Sequence, residues 1–140
     1  MTGRPVVIDT NILFSCLLKN QSEFTRLIFG TPNTFYICES VIIEMFKHKE
    51  RILALSRLHE ADIVRLFYTL LRNITVYREV LIPPSIRQSA YELCKHTDPA
   101  DSPQVALTIH LNGVLWTGDK KLKKALLLKG FHSFFEAEAE

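Results

Sequence analysis

Four acidic side chains in this sequence could together bind a metal ion, at Asp9, Glu44, Asp101 and Asp119. The set contains neither thiolates nor imidazoles, and carboxylate oxygens are ligands that Mg²⁺ and Mn²⁺ prefer. Two like charges about 4 Å apart repel by roughly 4 kcal/mol at an effective dielectric of 20, so clustered carboxylates must take up protons or bind a cation. One or two divalent ions held there would activate water and neutralise charge on a phosphodiester. The residue types therefore predict metal-assisted hydrolysis, provided that the fold gathers them.

The predicted elements are strands and helices in alternation. Short apolar runs, typical of strands buried on both faces, occur at 5–8, 35–38, 74–77 and 114–117, with a weaker fifth run at 131–134. Helical spacing of apolar residues is found between them at 41–55, 63–70, 86–94, 105–109 and 122–126. The first two of these helices are joined around 56–59 and predict a helical hairpin inserted after the second strand. The order predicts a three-layer α/β fold with a parallel sheet of about five strands.

This fold would bring the four carboxylates to one edge of the sheet. Asp9 ends the first strand, and Asp119 follows the fourth strand after a single glycine. Glu44 falls in the first turn or so of the helix after the second strand, and Asp101 begins the helix before the fourth. Helix N-termini and strand carboxyl ends share an edge in such sheets, and ligands bind there, where the strand order reverses. The sequence therefore predicts a metal site at this edge.

Each carboxylate also has a simpler structural explanation. Asp101 and Asp119 stand where an aspartate caps a helix N-terminus. Glu44 lies in an apolar stretch, but the rotation of its helix could leave it in solvent. Asp9 is harder to explain this way, because a charge at the end of a buried strand costs several kcal/mol unless it is paired or bound to a metal.

Composition predicts one globular domain, residues 1–135, followed by an acidic tail, 136–140, that is not expected to pack. The chain has 140 residues, 47% of them apolar and 23% charged, and a net charge of +2. No stretch approaches the roughly 18 uncharged residues of a membrane-spanning helix, and the N-terminus does not read as a secretory signal. We therefore expect a cytoplasmic protein that does not associate with membranes. The cysteines lack the spacing of a disulfide framework or a zinc site and are expected to be buried: Cys16, Cys38 and Cys94.

The sequence resembles the PIN-domain family of nucleases over essentially its whole length. The likeness rests on VIDTNIL at 7–13, SVIIEMFK at 40–47, DPADSPQVALTIHLNGV at 98–114 and LWTGDKKL at 115–122. The resemblance implies a parallel sheet of about five strands between helices, a Mg²⁺ or Mn²⁺ site made of acidic residues, and endonuclease action on single-stranded RNA.

The resemblance also assigns roles to individual residues. By position, the four family acids correspond to Asp9, Glu44, Asp101 and Asp119. Asn11 matches a polar residue that would fix the first acid by hydrogen bonding, with Thr10 and Thr117 as further helpers. Asp98 and Asp101 both precede the same helix, and either could be the third acid. Asp101 is preferred for its distance to Ala106 and its place at the helix start, which would leave Asp98 as a loop cap or a supporting acid.

Partners follow from the resemblance and from the basic residues. Many family members are toxins of VapC-type toxin–antitoxin pairs, which implies a possible antitoxin partner and a dimer. Lysines next to the acids, above all Lys47, Lys120 and Lys121, could hold RNA phosphates. Lysines on exposed helices usually serve solubility, so this assignment stays open. Trp116 lies inside an apolar strand and is expected in the core.

The sequence also allows a comparison with three alternatives to a nuclease. A haloacid-dehalogenase-type phosphatase needs a second aspartate two residues after the first, where this chain has Asn11. A phosphoacceptor receiver domain needs an adjacent acidic pair, but Ile8 precedes Asp9. A PIN-like module that binds RNA or protein without cleavage is the main alternative, and a missing acid would favour it.

Overall fold

Four parallel strands form the sheet in the computed structural model, which describes residues 3–18, 21–56 and 59–136. The strands are β1 (Pro5–Ile8), β2 (Thr34–Cys38), β3 (Ile74–Tyr77) and β4 (Val114–Trp116). Their spatial order is β3-β2-β1-β4, so the chain moves outward from β1 to β3 and then returns to the other side of β1. The strand order therefore reverses between β1 and β4.

Eight α-helices of the described residues surround the sheet. They are α1 (Thr10–Leu18), α2 (Gln21–Gly30), α3 (Glu39–Lys47), α4 (Lys49–Leu55), α5 (Glu60–Asn73), α6 (Pro84–Cys94), α7 (Ser102–His110) and α8 (Lys120–Leu128). Short 3₁₀ turns at Glu79–Leu81 and Pro99–Asp101 precede α6 and α7.

The core lies around β1 and β4, the two strands that flank the reversal. Val6, Val7 and Ile8 have no exposed surface, and all three residues of β4 are buried. Continuous burial is typical of strands covered by helices on both faces. By contrast, β3 lies at the sheet edge and leaves Thr75 and Val76 exposed. The sequence prediction of a parallel α/β fold is therefore confirmed.

The predicted fifth strand is wrong, because residues 131–134 touch the sheet at a single bridge between Leu115 and Phe134. The Leu115 amide donates to Ser133 O (2.8 Å), and the Phe135 amide donates to Leu115 O (2.9 Å). The aromatic side chains hold this segment by packing: Phe131 and Phe134 meet edge to face at 5.4 Å, and Phe135 lies 5.0 Å from Trp116. The segment covers the outer edge of β4 without extending the ladder.

The region between β2 and β3 also differs from the prediction. The single helix expected over 41–55 is divided into α3 and α4, because His48 leaves the helical conformation with φ −107° and ψ 16°. Part of the junction predicted at 56–59 lies outside the described residues. The helices α1 and α2 were not predicted. Only Asp9 lies between the end of β1 and the start of α1, so no turn residues mark that start.

Two further expectations concern membrane-spanning helices and the acidic tail. None of the helices described there is both long and apolar enough to cross a membrane. Of the predicted acidic tail, only Glu136 is described, and the Lys123 Nζ donates to its carboxylate at 3.3 Å.

Candidate active site

Asp9 is the central carboxylate of the candidate site and directly follows β1. Its exposed fraction is 4%, although it is an ionisable residue. The Thr10 amide donates to Asp9 Oδ1 (2.8 Å) and the Thr117 hydroxyl donates to Asp9 Oδ2 (2.8 Å). Burial raises the pKa of Asp9, these two hydrogen bonds oppose the rise, and the charges of Asp119 and Asp98 add to it. The site thus holds a carboxylate that burial and neighbouring charge both destabilise in its ionised form.

Thr117 connects the ends of β1 and β4. Its hydroxyl oxygen donates to Asp9 and accepts from the Asp119 amide (3.1 Å). The predicted fourth strand, 114–117, ends one residue earlier at Trp116, which leaves Thr117 in the turn after the strand. One hydroxyl therefore relates the first and last acids at the point where the strand order reverses.

Asp119 serves as the N-cap of α8, as its structural explanation predicted. Its Oδ1 accepts a hydrogen bond from the Leu122 amide (3.1 Å), which satisfies one of the free amides of that helix. A carboxylate has two oxygens with several lone pairs, so this cap leaves capacity for another ligand. Capping and a place in the acidic site are compatible for this residue.

Asp98 and Asp101 take different roles in the segment before α7. Asp98 Oδ1 accepts from the Ala100 amide (3.0 Å) and caps the 3₁₀ turn that leads into the helix. Asp101 occupies the N-cap position of α7, but its side chain makes no capping hydrogen bond. Burial, followed by the charges of Asp9, Asp98 and Asp119, raises the pKa of Asp101 to about 7. Asp98 is used as the cap of the turn, whereas the Asp101 carboxylate makes no capping bond and is available to the acidic group.

Glu44 lies apart from this group in its contacts. Because α3 begins at Glu39, Glu44 falls in the second turn of that helix and not at its start. Its side chain is 44% exposed and pairs with Lys47 Nζ (3.9 Å) and His48 Nε2 (3.5 Å). Glu44 is also not among the residues whose charges raise the pKa of Asp9 or Asp101. The structure therefore brings together three of the four predicted acids by contact or charge, with Asp98 beside them.

Among the predicted supporting and basic residues, some also lie at the acidic group and others make contacts elsewhere. The hydrogen bonds to the Asp9 carboxylate come from Thr10 and Thr117, whereas Asn11 is exposed at the start of α1. Lys47 is engaged with Glu44. Lys120 and Lys121 are exposed in the first turn of α8, directly after Asp119.

Three polar residues near the carboxyl ends of the strands were missed by the sequence reasoning. Gln104 is 5% exposed, and its Nε2 donates to Thr10 Oγ1 (3.3 Å). Glu39 Oε1 accepts from the Glu79 amide (3.0 Å), and Glu79 Oε2 accepts from the Ser40 amide (3.1 Å). Glu39 could have been found from the sequence, since it directly follows the apolar run of β2 as Asp9 follows that of β1.

The donor set fits a hydrated Mg²⁺ or Mn²⁺ ion better than a fully protein-ligated one. In residues 3–18, 21–56 and 59–136, no three His, Cys, Asp or Glu side chains converge closely enough to enclose a metal. Mg²⁺, however, commonly binds through one or two carboxylates and completes its shell with water and phosphate oxygens. Asp9, Asp101 and Asp119 supply oxygen ligands only, and their mutual repulsion favours a cation among them.

Two further sequence expectations are confirmed near the site. Trp116 is 8% exposed and packs against Phe35 and Phe135, with ring centroids 5.9 and 5.0 Å away, so it is a core residue and not a platform for bases. All three cysteines are free and buried.

The fold and this edge define the class of protein: a parallel α/β domain with carboxylates gathered where the strand order reverses. A family model described as PIN domain matches residues 7–128, and the chain belongs to the PIN domain family. The match includes all four predicted acids and confirms the resemblance found in the sequence.

Comparison with solved structures agrees with this fold. The chain is similar to one described as the crystal structure of VapBC2 from Rickettsia felis bound to a DNA fragment from their promoter. The two are 14% identical with a TM-score of 0.64, and the alignment covers 86% of this chain and 92% of the other. At this identity the likeness shows the fold alone. A search of curated proteins finds no match.

Proposed function

We propose that this protein is a Mg²⁺- or Mn²⁺-dependent endoribonuclease that hydrolyses phosphodiester bonds of single-stranded RNA. The observation that carries the proposal is the junction of β1 and β4, where Thr117 connects buried Asp9 to Asp119 and Asp101 adds a third carboxylate by charge. Membership of the PIN domain family supports the same chemistry.

The chain's own residues have distinct roles in this proposal. Asp9, Asp101 and Asp119 hold the ion, and when bound the ion supplies Lewis-acid activation of water and charge neutralisation. Thr10 and Thr117 orient the Asp9 carboxylate through their two hydrogen bonds. Glu44 is the fourth acid by family position; to reach the others, its side chain must first leave Lys47 and His48.

Exposed lysines at the start of α8 would bind the RNA backbone. Lys120 and Lys121 follow Asp119 directly and are exposed, so phosphates placed at the carboxylates lie near cationic side chains. Lys47 would contribute only after its ion pair with Glu44 opens.

A protein partner, by family resemblance an antitoxin, and a dimer of this chain complete the proposal. Support comes from large apolar side chains left exposed on α3, α4 and α5, among them Phe46 (69%), Leu55 (58%) and Tyr68 (62%). The same helices border a cavity of about 250 Å³ lined mainly by apolar residues of α1, α3, α4 and α5. Exposed apolar surface of this kind is typical of interaction sites. A cytoplasmic location remains a prediction.

The central test is cleavage of a labelled single-stranded RNA with Mg²⁺ or Mn²⁺, then with EDTA, by the natural chain and by Asp9→Asn. We expect cleavage that requires the metal and disappears in the variant. Asp62→Asn is a matched control, because that aspartate lies on α5 in an exposed pair with Arg65. Full activity in EDTA or in Asp9→Asn contradicts the mechanism, and RNA binding without cleavage identifies a non-catalytic PIN-like module.

A further inference from the structure

Gln104 is a buried polar side chain whose hydrogen-bonding capacity is only partly used. It is 5% exposed, and its Nε2 donates to Thr10 Oγ1 at 3.3 Å. No hydrogen-bond partner for its Oε1 occurs in the described part of the chain. Exchanging the amide oxygen and nitrogen would give Thr10 an acceptor but leave the buried NH₂ without its present partner. Either orientation therefore leaves a buried polar atom unpartnered, which is costly unless a ligand engages it.

The local sequence offers Gln104 another partner that it does not use. Asp101 stands at the N-cap and Gln104 three residues later, the spacing at which two side chains cap a helix N-terminus reciprocally. In the structure the Asp101 side chain makes no capping bond, and Gln104 reaches across to α1. Both side chains of the potential capping box therefore point to other interactions, Asp101 to the carboxylates and Gln104 to Thr10.

Thr10 places Gln104 next to the metal site. Its hydroxyl accepts from Gln104, and its backbone amide donates to Asp9 Oδ1 (2.8 Å). The oxygen and nitrogen of one amide share a carbon, so the unpartnered oxygen lies in the same small volume as the Thr10 hydroxyl.

We propose that Gln104 is a positioning residue of the site: it holds Thr10, and through Thr10 the Asp9 carboxylate, in place for a divalent cation, although no residue that the structure describes partners its own buried carbonyl oxygen. This inference rests on the proposed function, since it assumes a cation held by the acidic group. Outer-shell partners of this kind commonly change metal affinity by 10- to 100-fold.

The test is Mn²⁺ binding by isothermal titration calorimetry, together with thermal unfolding without metal, for the natural chain and for Gln104→Leu. We expect the Kd for Mn²⁺ to rise about tenfold in the variant. The metal-free Tm should change little, because leucine removes an unpartnered polar atom from the interior together with the hydrogen bond to Thr10. A purely structural residue would change Tm without changing Kd. Gln88→Leu is the matched control, because Gln88 is an exposed glutamine on α6 that bonds Glu92.

A second variant keeps the test decisive if leucine prevents folding. Gln104→Glu retains an acceptor oxygen and adds negative charge, so the metal-free Tm should fall while the Kd for Mn²⁺ stays equal or decreases. A Kd within twofold of the natural chain in Gln104→Leu, or a tenfold weaker Kd in Gln104→Glu, overturns the assignment. Absence of Mn²⁺ binding by the natural chain rejects the metal site of the proposed function, and this inference with it.

Discussion

The acidic residues in the two halves of the sheet edge have different surroundings. At the ends of β2 and β3, Glu39 and Glu79 each accept a backbone amide from the other's segment, at 3.0 and 3.1 Å. At the ends of β1 and β4, Asp9 is buried and Asp101 is half-buried, and their pKa values are raised by burial and by neighbouring carboxylates. The first arrangement joins the start of α3 to the 3₁₀ turn after β3, whereas the second keeps like charges together.

Position at the end of a strand therefore does not by itself define a functional acid. Acceptance of a backbone amide does not by itself define a structural acid, because Asp9 and Asp119 also accept amides, from Thr10 and Leu122. A carboxylate whose neighbours are other carboxylates retains an unmet requirement for a proton or cation. The β1/β4 half therefore has the properties of a binding site, and the β2/β3 half those of a structural connection.

The largest expected effect comes from Asp119→Asn. Asparagine is an equally good N-cap, so α8 keeps its Leu122 bond while the site loses a charge. We expect RNA cleavage to fall by about a hundredfold, since a metal site supplies several kcal/mol and each 1.36 kcal/mol is a factor of ten. Initial cleavage rates and Tm measure the two effects. Glu79→Gln is the counterpart in the β2/β3 half. Equal losses of RNA cleavage in Asp119→Asn and Glu79→Gln would show that the two halves of the edge do not differ in function.

Asp101→Asn should stabilise the metal-free protein at high pH. Because the pKa of Asp101 is raised from 3.8 to about 7, the folded state binds a proton that the unfolded state loses, and stability falls as pH rises between these values. Asp101 is only half-buried, so solvent reduces both the burial penalty and the repulsion, and we expect a gain of about 1–2 kcal/mol at pH 8 and none below pH 4. Urea unfolding at pH 4, 6 and 8 with EDTA measures it. Asp62→Asn, in the exposed pair with Arg65 on α5, is the control; an Asp101→Asn variant less stable than the natural chain at pH 8 contradicts the prediction.

Thr117→Val should weaken metal binding while keeping the side-chain volume. The substitution removes the donor to Asp9 Oδ2 and the acceptor for the Asp119 amide. We expect Mn²⁺ binding to weaken about tenfold, as for other groups that orient a metal ligand. Thr117→Ser restores the hydroxyl and should bind within twofold of the natural chain. Titration calorimetry measures both, and equal Kd values for valine and serine would exclude this role of the hydroxyl.

The smallest effect is expected from Glu39→Ala in the structural half. It leaves the Glu79 amide without its acceptor and should lower the free energy of unfolding by about 1 kcal/mol. Cleavage under conditions where the protein stays folded should be unchanged. A loss of activity without a loss of stability would assign Glu39 to the site and merge the two halves of the edge.

The sequence predicted the elements whose chemistry is local. The buried runs of β1 and β4, the helix α8 after β4 and the place of Asp9 at the end of β1 all depend on short-range pattern, and the structure confirms them. The strand order itself was not predicted, and the structure places its reversal between β1 and β4. The fifth strand failed because its aromatic residues are held by side-chain packing and not by a backbone ladder.

What could not be predicted depends on contacts between distant segments or on helix rotation. Gln104 meets Thr10 across 94 positions, a pairing that no local pattern encodes. The side of α3 on which Glu44 lies depends on where the helix starts, and the spacing alone left that open. The choice between Asp98 and Asp101 needed the 3₁₀ turn, since only its geometry shows which carboxylate is used as a cap.

The short segment around Phe134 closes one border of the sheet. An open border presents unpaired amides and carbonyls to any extended chain and is a common origin of aggregation. Here Ser133 and Phe135 occupy the backbone groups of Leu115, while the opposite border, β3, remains accessible with Thr75 and Val76 exposed. Intermolecular strand pairing would therefore proceed from β3, and a lysine in place of Val76 is the natural change for improving solubility.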